Sequence, residues 1–119
     1  MDVLGNQGQL LLRLLASTSE RAKVIAGNIS NQNTPGYLRR EHRFEELLVE
    51  EMQSLAPDLS RVVAQTVEDE DTPTRGDGNN VTLEHEINDM RETALRYDLY
   101  AALLASRTKI VQSAIHGER

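Results

Sequence analysis

From Thr82 to His116 the chain runs without a proline or a glycine, and no other feature constrains its fold as strongly. Within that stretch Leu83, Ile87, Met90, Ala94, Tyr97, Ala101, Leu104, Thr108, Val111 and Ile115 recur at alternating spacings of four and three, the period of a coiled-coil seam. The spacing predicts a helix over 82–116, roughly 50 Å long at 1.5 Å per residue. Thr82 suits the N-cap, Glu84 and Glu86 suit the positive end of the helix dipole, and Gly117 is the natural stop. A second stripe, Leu95, Leu99, Leu103 and Ile110, lies on roughly the opposite face. One antiparallel partner cannot cover both faces, so this helix calls for neighbours from other chains.

A shorter seam at the other end, Leu11, Leu15, Thr18, Ala22, Ile25 and Ile29, predicts a helix over 7–31. Leu10, Leu12, Leu14, Val24 and Ala26 lie off that seam, so its apolar surface is wider than one partner helix requires. Gly27, costly in a helix interior, suggests a close backbone approach or fraying near the helix end. The helix runs into amides, Asn28, Asn31, Gln32 and Asn33, and then into Thr34-Pro35-Gly36-Tyr37. Pro35 biases Thr34 away from helical angles, and Gly36 can take the positive φ of a type II turn.

Residues 32–80 have a different character. Phe44, Leu47, Leu48 and Met52 give a short amphipathic helix over 43–52, Arg61–Val67 suits a short strand, and Glu68–Pro73 and Gly76–Asn80 read as loop. The expected fold is therefore mainly α. Long N- and C-terminal helices pack as a coiled-coil-like pair, with a middle segment of short helix and irregular loop, in a single domain over 1–119.

Nineteen acidic and thirteen basic residues leave a net charge of -6, which argues against nucleic acid as a partner. The charge is segregated: +3 over residues 1–44, -11 over 45–89 and +2 over 90–119, so copies stacking end to middle would attract. The chain has one Phe, three Tyr and no Trp, fewer aromatics than a compact enzyme core normally buries. With no cysteine there is no disulfide, thiolate metal site or cysteine nucleophile. No apolar run is long enough to span a membrane, and the Leu10–Leu15 cluster lacks the flanks of a cleaved signal peptide. His42, His85 and His116 are too far apart for a ligand set, and Glu68–Asp71 lacks the glycine of a calcium loop and reads as a solvated loop. Arg75-Gly76-Asp77 reads as a turn, and Arg39, Arg40 and Arg43 as a basic subunit contact. No catalytic constellation, cofactor or small-molecule substrate is expected.

The segment Ala26-Gly27-Asn28-Ile29-Ser30-Asn31-Gln32-Asn33-Thr34-Pro35-Gly36-Tyr37 resembles the N-terminal motif of bacterial flagellar rod and hook proteins, A-N-N-[IL]-A-N-x-x-T-x-G-[YF], with Gly27 and Ser30 as small replacements. Gly78–Glu86, Ala94–Asp98 and Ser113–Ile115 are similar to the proximal rod members, while Tyr97-Asp98 departs from the Tyr-x-x-Asn pattern of other rod proteins. The resemblance covers about the first and last forty residues. It implies a structural subunit in the basal body, within the periplasm, exported unfolded and uncleaved by the flagellar type III apparatus. It also implies helical assembly with other copies, with other rod proteins and with the adaptor joining the rod to the export gate. Asn28, Asn31, Asn33, Thr34, Pro35, Gly36 and Tyr37 would be the motif residues, with the amides bonding backbone and neighbouring subunits. A cytosolic coiled-coil adaptor is the reading from another class, and it has no need of the Asn-rich turn.

Overall fold

The two seams become two antiparallel helices. In the computed structural model, which describes residues 5–117, the elements are α1 (Gly5–Ser30), β1 (Arg40–Arg43), α2 (Glu45–Met52), a 3-10 turn (Leu59–Arg61), β2 (Gln65–Glu68) and α3 (Leu83–His116). Residues 1–4 and 118–119 of the expected domain lie outside the described residues. Helices α1 and α3 pack along one another in a flat body measuring 64 × 32 × 15 Å. Two hydrogen bonds fix their register: Asn28 Nδ2 donates to Glu86 Oε2 at 3.1 Å, and Arg107 Nη1 donates to Gln7 Oε1 at 2.9 Å. Each pair of residues on one helix is 21 apart, about three heptads, so the same face meets its partner at both ends.

The ends of α3 fall where the sequence places them. Gly117 takes φ 68° and closes the last turn on the Ser113 carbonyl. Thr82 stands at the N-cap, but its hydroxyl makes no capping bond; its carbonyl accepts the Glu86 N–H at 3.0 Å. Gly27 is not a point of close approach, since a Cβ there would meet nothing within 4 Å. Its carbonyl instead collects the Asn31 N–H, Asn31 Nδ2 and Ser30 Oγ as α1 ends.

Two of the three leucines off the α1 seam have a partner inside the chain, while Leu12 is exposed. Leu10 and Leu14 pack on a small core of Phe44, Leu48 and Val62, with Leu47 and Leu59 at its margin. Arg13 lies 5.0 Å from the centre of the Phe44 ring and donates to the Leu59 and Val62 carbonyls, tying α1 to the middle segment. Helix α2 is tethered to α3 by Arg96 Nη1 and Glu45 Oε1, 3.1 Å apart.

The middle contains an antiparallel ribbon that the sequence only half announces. The strand expected over Arg61–Val67 forms as β2 at Gln65–Glu68, one turn later, after the 3-10 turn. Its partner β1, Arg-Glu-His-Arg, has no apolar alternation to reveal it. The register pairs Arg40 with Glu68 and Arg43 with Gln65, so opposite charges face one another at one end.

Candidate functional site

Asn28 and Tyr37 of the motif meet in one buried polar joint where α1 ends and α3 begins, while Asn33, Thr34, Pro35 and Gly36 form an exposed turn beside it. Asn28 is fully buried, and its amide uses all its bonding capacity. Nδ2 donates to the Arg40 carbonyl at 2.9 Å and to Glu86 Oε2 at 3.1 Å. Oδ1 accepts the Arg40 N–H at 2.8 Å and the Tyr37 hydroxyl at 3.0 Å. Asn28 therefore pairs with the outer edge of β1 as a strand would. The turn over Thr34–Tyr37 brings Tyr37 back onto it: Gly36 has φ 76°, and the Tyr37 N–H reaches the Thr34 carbonyl at 3.2 Å. Burial raises the Tyr37 pKa, aided by the Glu86 and Glu68 charges against Arg40, so the phenol stays a donor. Asn31 stabilises the helix end, donating to the Gly27 carbonyl at 2.9 Å and accepting from Thr34 Oγ1 at 3.1 Å, whereas Asn33 is exposed.

Arg39 is the centre of the joint. Its guanidinium lies 2.7 Å from Glu86 Oε1, 2.8 Å from Asp69 Oδ2, 2.6 Å from Glu41 Oε1 and 3.5 Å from Asp89 Oδ2. Arg39 is 5% exposed and Glu86 0%, so these are buried charges whose removal from water must be offset by pairing. Asn80 completes the joint, accepting the Arg39 N–H at 2.6 Å while Nδ2 donates to the carbonyls of Asp69 and Thr72. Among the described residues no buried side-chain nitrogen or oxygen lacks a partner. The joint spends its polar atoms on itself, which is what a rigid structural joint requires.

Two readings of the sequence are corrected here. Arg39 belongs to the interior and not to a subunit contact, and Asp69, read as part of a solvated run, is buried against it. Glu86 stands in the first turn of α3 as expected, and it is also the ion-pair partner of Arg39. Charge runs are ordinarily solvated, and nothing in the spacing of Arg39, Asp69 and Glu86 links residues this distant.

A second turn locks the first. The Gly36 N–H donates to the Asp77 carbonyl at 2.8 Å, and the turn over Arg75–Gly78 closes with the Gly78 N–H on the Arg75 carbonyl. Asn79 Nδ2 donates to the carbonyls of Asn31 and Thr34, and Arg75 reaches the carbonyls of Gln32 and Val81. The tripeptide Arg75-Gly76-Asp77 is thus a structural turn. Gly78 has φ 80°, and a Cβ there would stand 3.3 Å from Gly36 Cα. Gly78→Ala should therefore cost about 1–3 kcal/mol, from left-handed strain and backbone crowding together. Thermal melting of the variant checks this; an unchanged midpoint would mean that the two turns do not bear on each other.

The seam residues divide. On α1, Leu11, Leu15, Ala22 and Ile29 are half-buried and Ile25 is buried. On α3, Met90, Ala101, Leu104 and Val111 are half-buried, whereas Ile87, Ala94, Tyr97 and Ile115 are exposed. Through the first half of α3 the buried places one residue earlier belong to Glu86 and Thr93, the latter satisfied by the Asp89 carbonyl at 2.7 Å. An apolar count passes over such polar residues. The second stripe is exposed throughout, with Leu95 at 70% and Ile110 at 67%.

The joint makes stability depend on pH. Burial alone would raise the Asp69 pKa, but the Thr72 hydroxyl, Arg39 and the N–H groups of Thr72 and Asp71 outweigh it and hold the carboxyl far below the usual range. A folded pKa below the unfolded one gives stability that is complete above the unfolded pKa, about 4, and lost as pH falls toward the folded value. His42, lowered mainly by burial, hydrogen-bonds Ser17 Oγ and Thr66 Oγ1 at 3.1 Å each, and it adds a loss below about pH 6.5 with the same sign. Melting temperature should therefore decline in two stages on acidification, and Asp69→Asn should flatten the lower one. A midpoint constant from pH 7 to pH 3 would contradict this.

No family model matches the chain. Among characterised proteins it is similar to the flagellar basal body rod protein FlgB of Aeromonas hydrophila, 27% identical over 88% of this chain and 89% of that protein.

Proposed function

We propose that this chain is a structural subunit of the bacterial flagellar rod, of the proximal kind and closest to FlgB, working by self- and hetero-assembly. The observation that carries the reading is the motif over Ala26–Tyr37, supported by a similarity to a named rod protein that spans nearly the whole chain. In this reading the polar joint sets the angle between α1 and α3. The exposed stripe Leu95, Leu99, Leu103 and Ile110 then meets other subunits, with the seam residues tightening in assembly. Other rod proteins, the adaptor to the export gate and the type III export apparatus are the partners that follow, and the periplasmic part of the basal body is the location. The second proximal rod protein is the alternative identity, since the N-terminal motif is common to both. The cytosolic adaptor is the weaker reading, because the similarity to a named rod protein runs over 88% of the chain.

Deleting the gene should abolish motility and restoring it should recover it. Leu104→Asp, which sets a carboxylate in a half-buried place between helices, should fail to complement while the protein is still made and exported. A motile deletion strain would overturn the reading. Full complementation by Leu104→Asp would show only that Leu104 is not in a tight interface.

A further inference from the structure

We infer that the outer edge of β2 is an interaction surface, and that it pairs antiparallel with β2 of a second copy about a two-fold axis at Val67. A two-fold contact closes on itself and cannot propagate. It therefore belongs to the free chain and goes beyond the proposed assembly, which needs contacts between different faces.

The ladder decides which backbone groups face outward. The Asp69 N–H donates to the Arg39 carbonyl at 2.8 Å, so Arg39 and Asp69 are a hydrogen-bonded pair, and in the same register so are Glu41 with Val67 and Arg43 with Gln65. The alternate residues, Arg40 and His42 of β1 and Thr66 and Glu68 of β2, turn their N–H and carbonyl groups outward. On β1, Asn28 takes both groups of Arg40. On β2, nothing among the described residues bonds to the outward groups of Thr66 and Glu68, and every residue of the strand is exposed. Such an edge is a template for a further strand.

The strand's own sequence points to a second copy as the occupant. Gln65-Thr66-Val67-Glu68 paired with itself about Val67 brings Thr66 opposite the partner's Glu68. Both present outward groups, so each Thr66–Glu68 couple exchanges two hydrogen bonds. Val67 meets the partner's Val67 at a non-hydrogen-bonded position, where side chains come closest. On the other face Glu68 lies between Arg40 of its own chain and the partner's Thr66, so the carboxylate stays beside a cation. The neighbouring registers are worse. One centred on Glu68 sets two carboxylates opposite each other, and one centred on Thr66 replaces the valine pair by two valine–glutamine pairs.

The edge is held extended before any partner arrives. Thr66 Oγ1 lies 3.1 Å from His42 Nδ1, and Asp69, the next residue after the strand, is bound by Arg39 at 2.8 Å while its carbonyl accepts from Asn80 Nδ2 at 2.8 Å. A strand fixed in this way loses little freedom on pairing. The contact is short, so it is weak and fills only at high protein concentration.

A single cysteine tests the register, because the chain has none of its own. Val67→Cys should give a disulfide-linked pair under mild oxidation about tenfold faster than Gln65→Cys, whose sulfurs this register holds ~13 Å apart along the strands. Glu68→Pro removes an outward N–H and spares the ladder to β1. It should weaken self-association of the purified chain, read by sedimentation velocity at ~100 μM, by about tenfold with a melting midpoint near wild type. A wild-type chain that stays monomeric at that concentration, a Val67→Cys chain that links no faster than Gln65→Cys, or a folded Glu68→Pro chain that associates like wild type would each overturn the pairing. Should Glu68→Pro melt early, the two cysteine variants decide alone. Failure of the rod reading has a separate mark, a chain absent from isolated basal bodies. A monomeric wild-type chain whose Glu68→Pro variant is lost from basal bodies would overturn the pairing and give the edge to a strand of another protein.

Discussion

Arg39→Met should be the most damaging single change in the chain, lowering stability by about 3–5 kcal/mol, because it leaves buried carboxylates without their counter-charge. Glu86 is the sharpest case: fully buried, it would keep only Asn28 Nδ2 as a side-chain donor. Lysine in the same place should rescue poorly, since it carries the charge without the planar fork that reaches Glu86, Asp69 and Glu41 together. Urea unfolding of the purified chain measures the effect. A loss below about 1 kcal/mol would be the value of an exposed pair and would contradict the buried joint.

Asn28→Leu should cost about 2–5 kcal/mol although leucine is a better helix former. The change removes four hydrogen bonds and leaves the Arg40 N–H and carbonyl at the strand edge without their partner. Aspartate should do no better. It keeps the acceptor for the Arg40 N–H and the Tyr37 hydroxyl, but it places a second carboxylate where Nδ2 stood 3.1 Å from Glu86. Hydrogen exchange should then show lost protection at Arg40 and at the start of α3. Protection at wild-type level there would mean that Asn28 does not join the three elements.

These two residues also mark what sequence alone can and cannot reveal. Helix α3 was legible because its period runs unbroken to Gly117, and the turn at Gly36 was legible because proline and glycine punctuate it chemically. Asn28 and Tyr37 stood out as a motif, but Asn28's partner Arg40 did not, since a hydrogen bond to backbone leaves no trace in side-chain type. Arg39, Asp69 and Glu86 were hidden for a different reason: each lies among other charges, and pairing across 30 to 47 residues has no period. The seam of α3 was displaced in its first half by the same blindness, because Glu86 and Thr93 occupy places that an apolar count gives to Ile87 and Ala94.

The composition of isolated basal bodies decides most directly whether this chain is a rod subunit. A strain carrying an epitope on an exposed loop of this chain, such as Thr74, should yield basal bodies that retain the tag after membranes and soluble protein are removed. Its deletion strain should yield basal bodies without a rod. Recovery of the tag only in the soluble fraction, with complete rods in the deletion strain, would contradict the assignment.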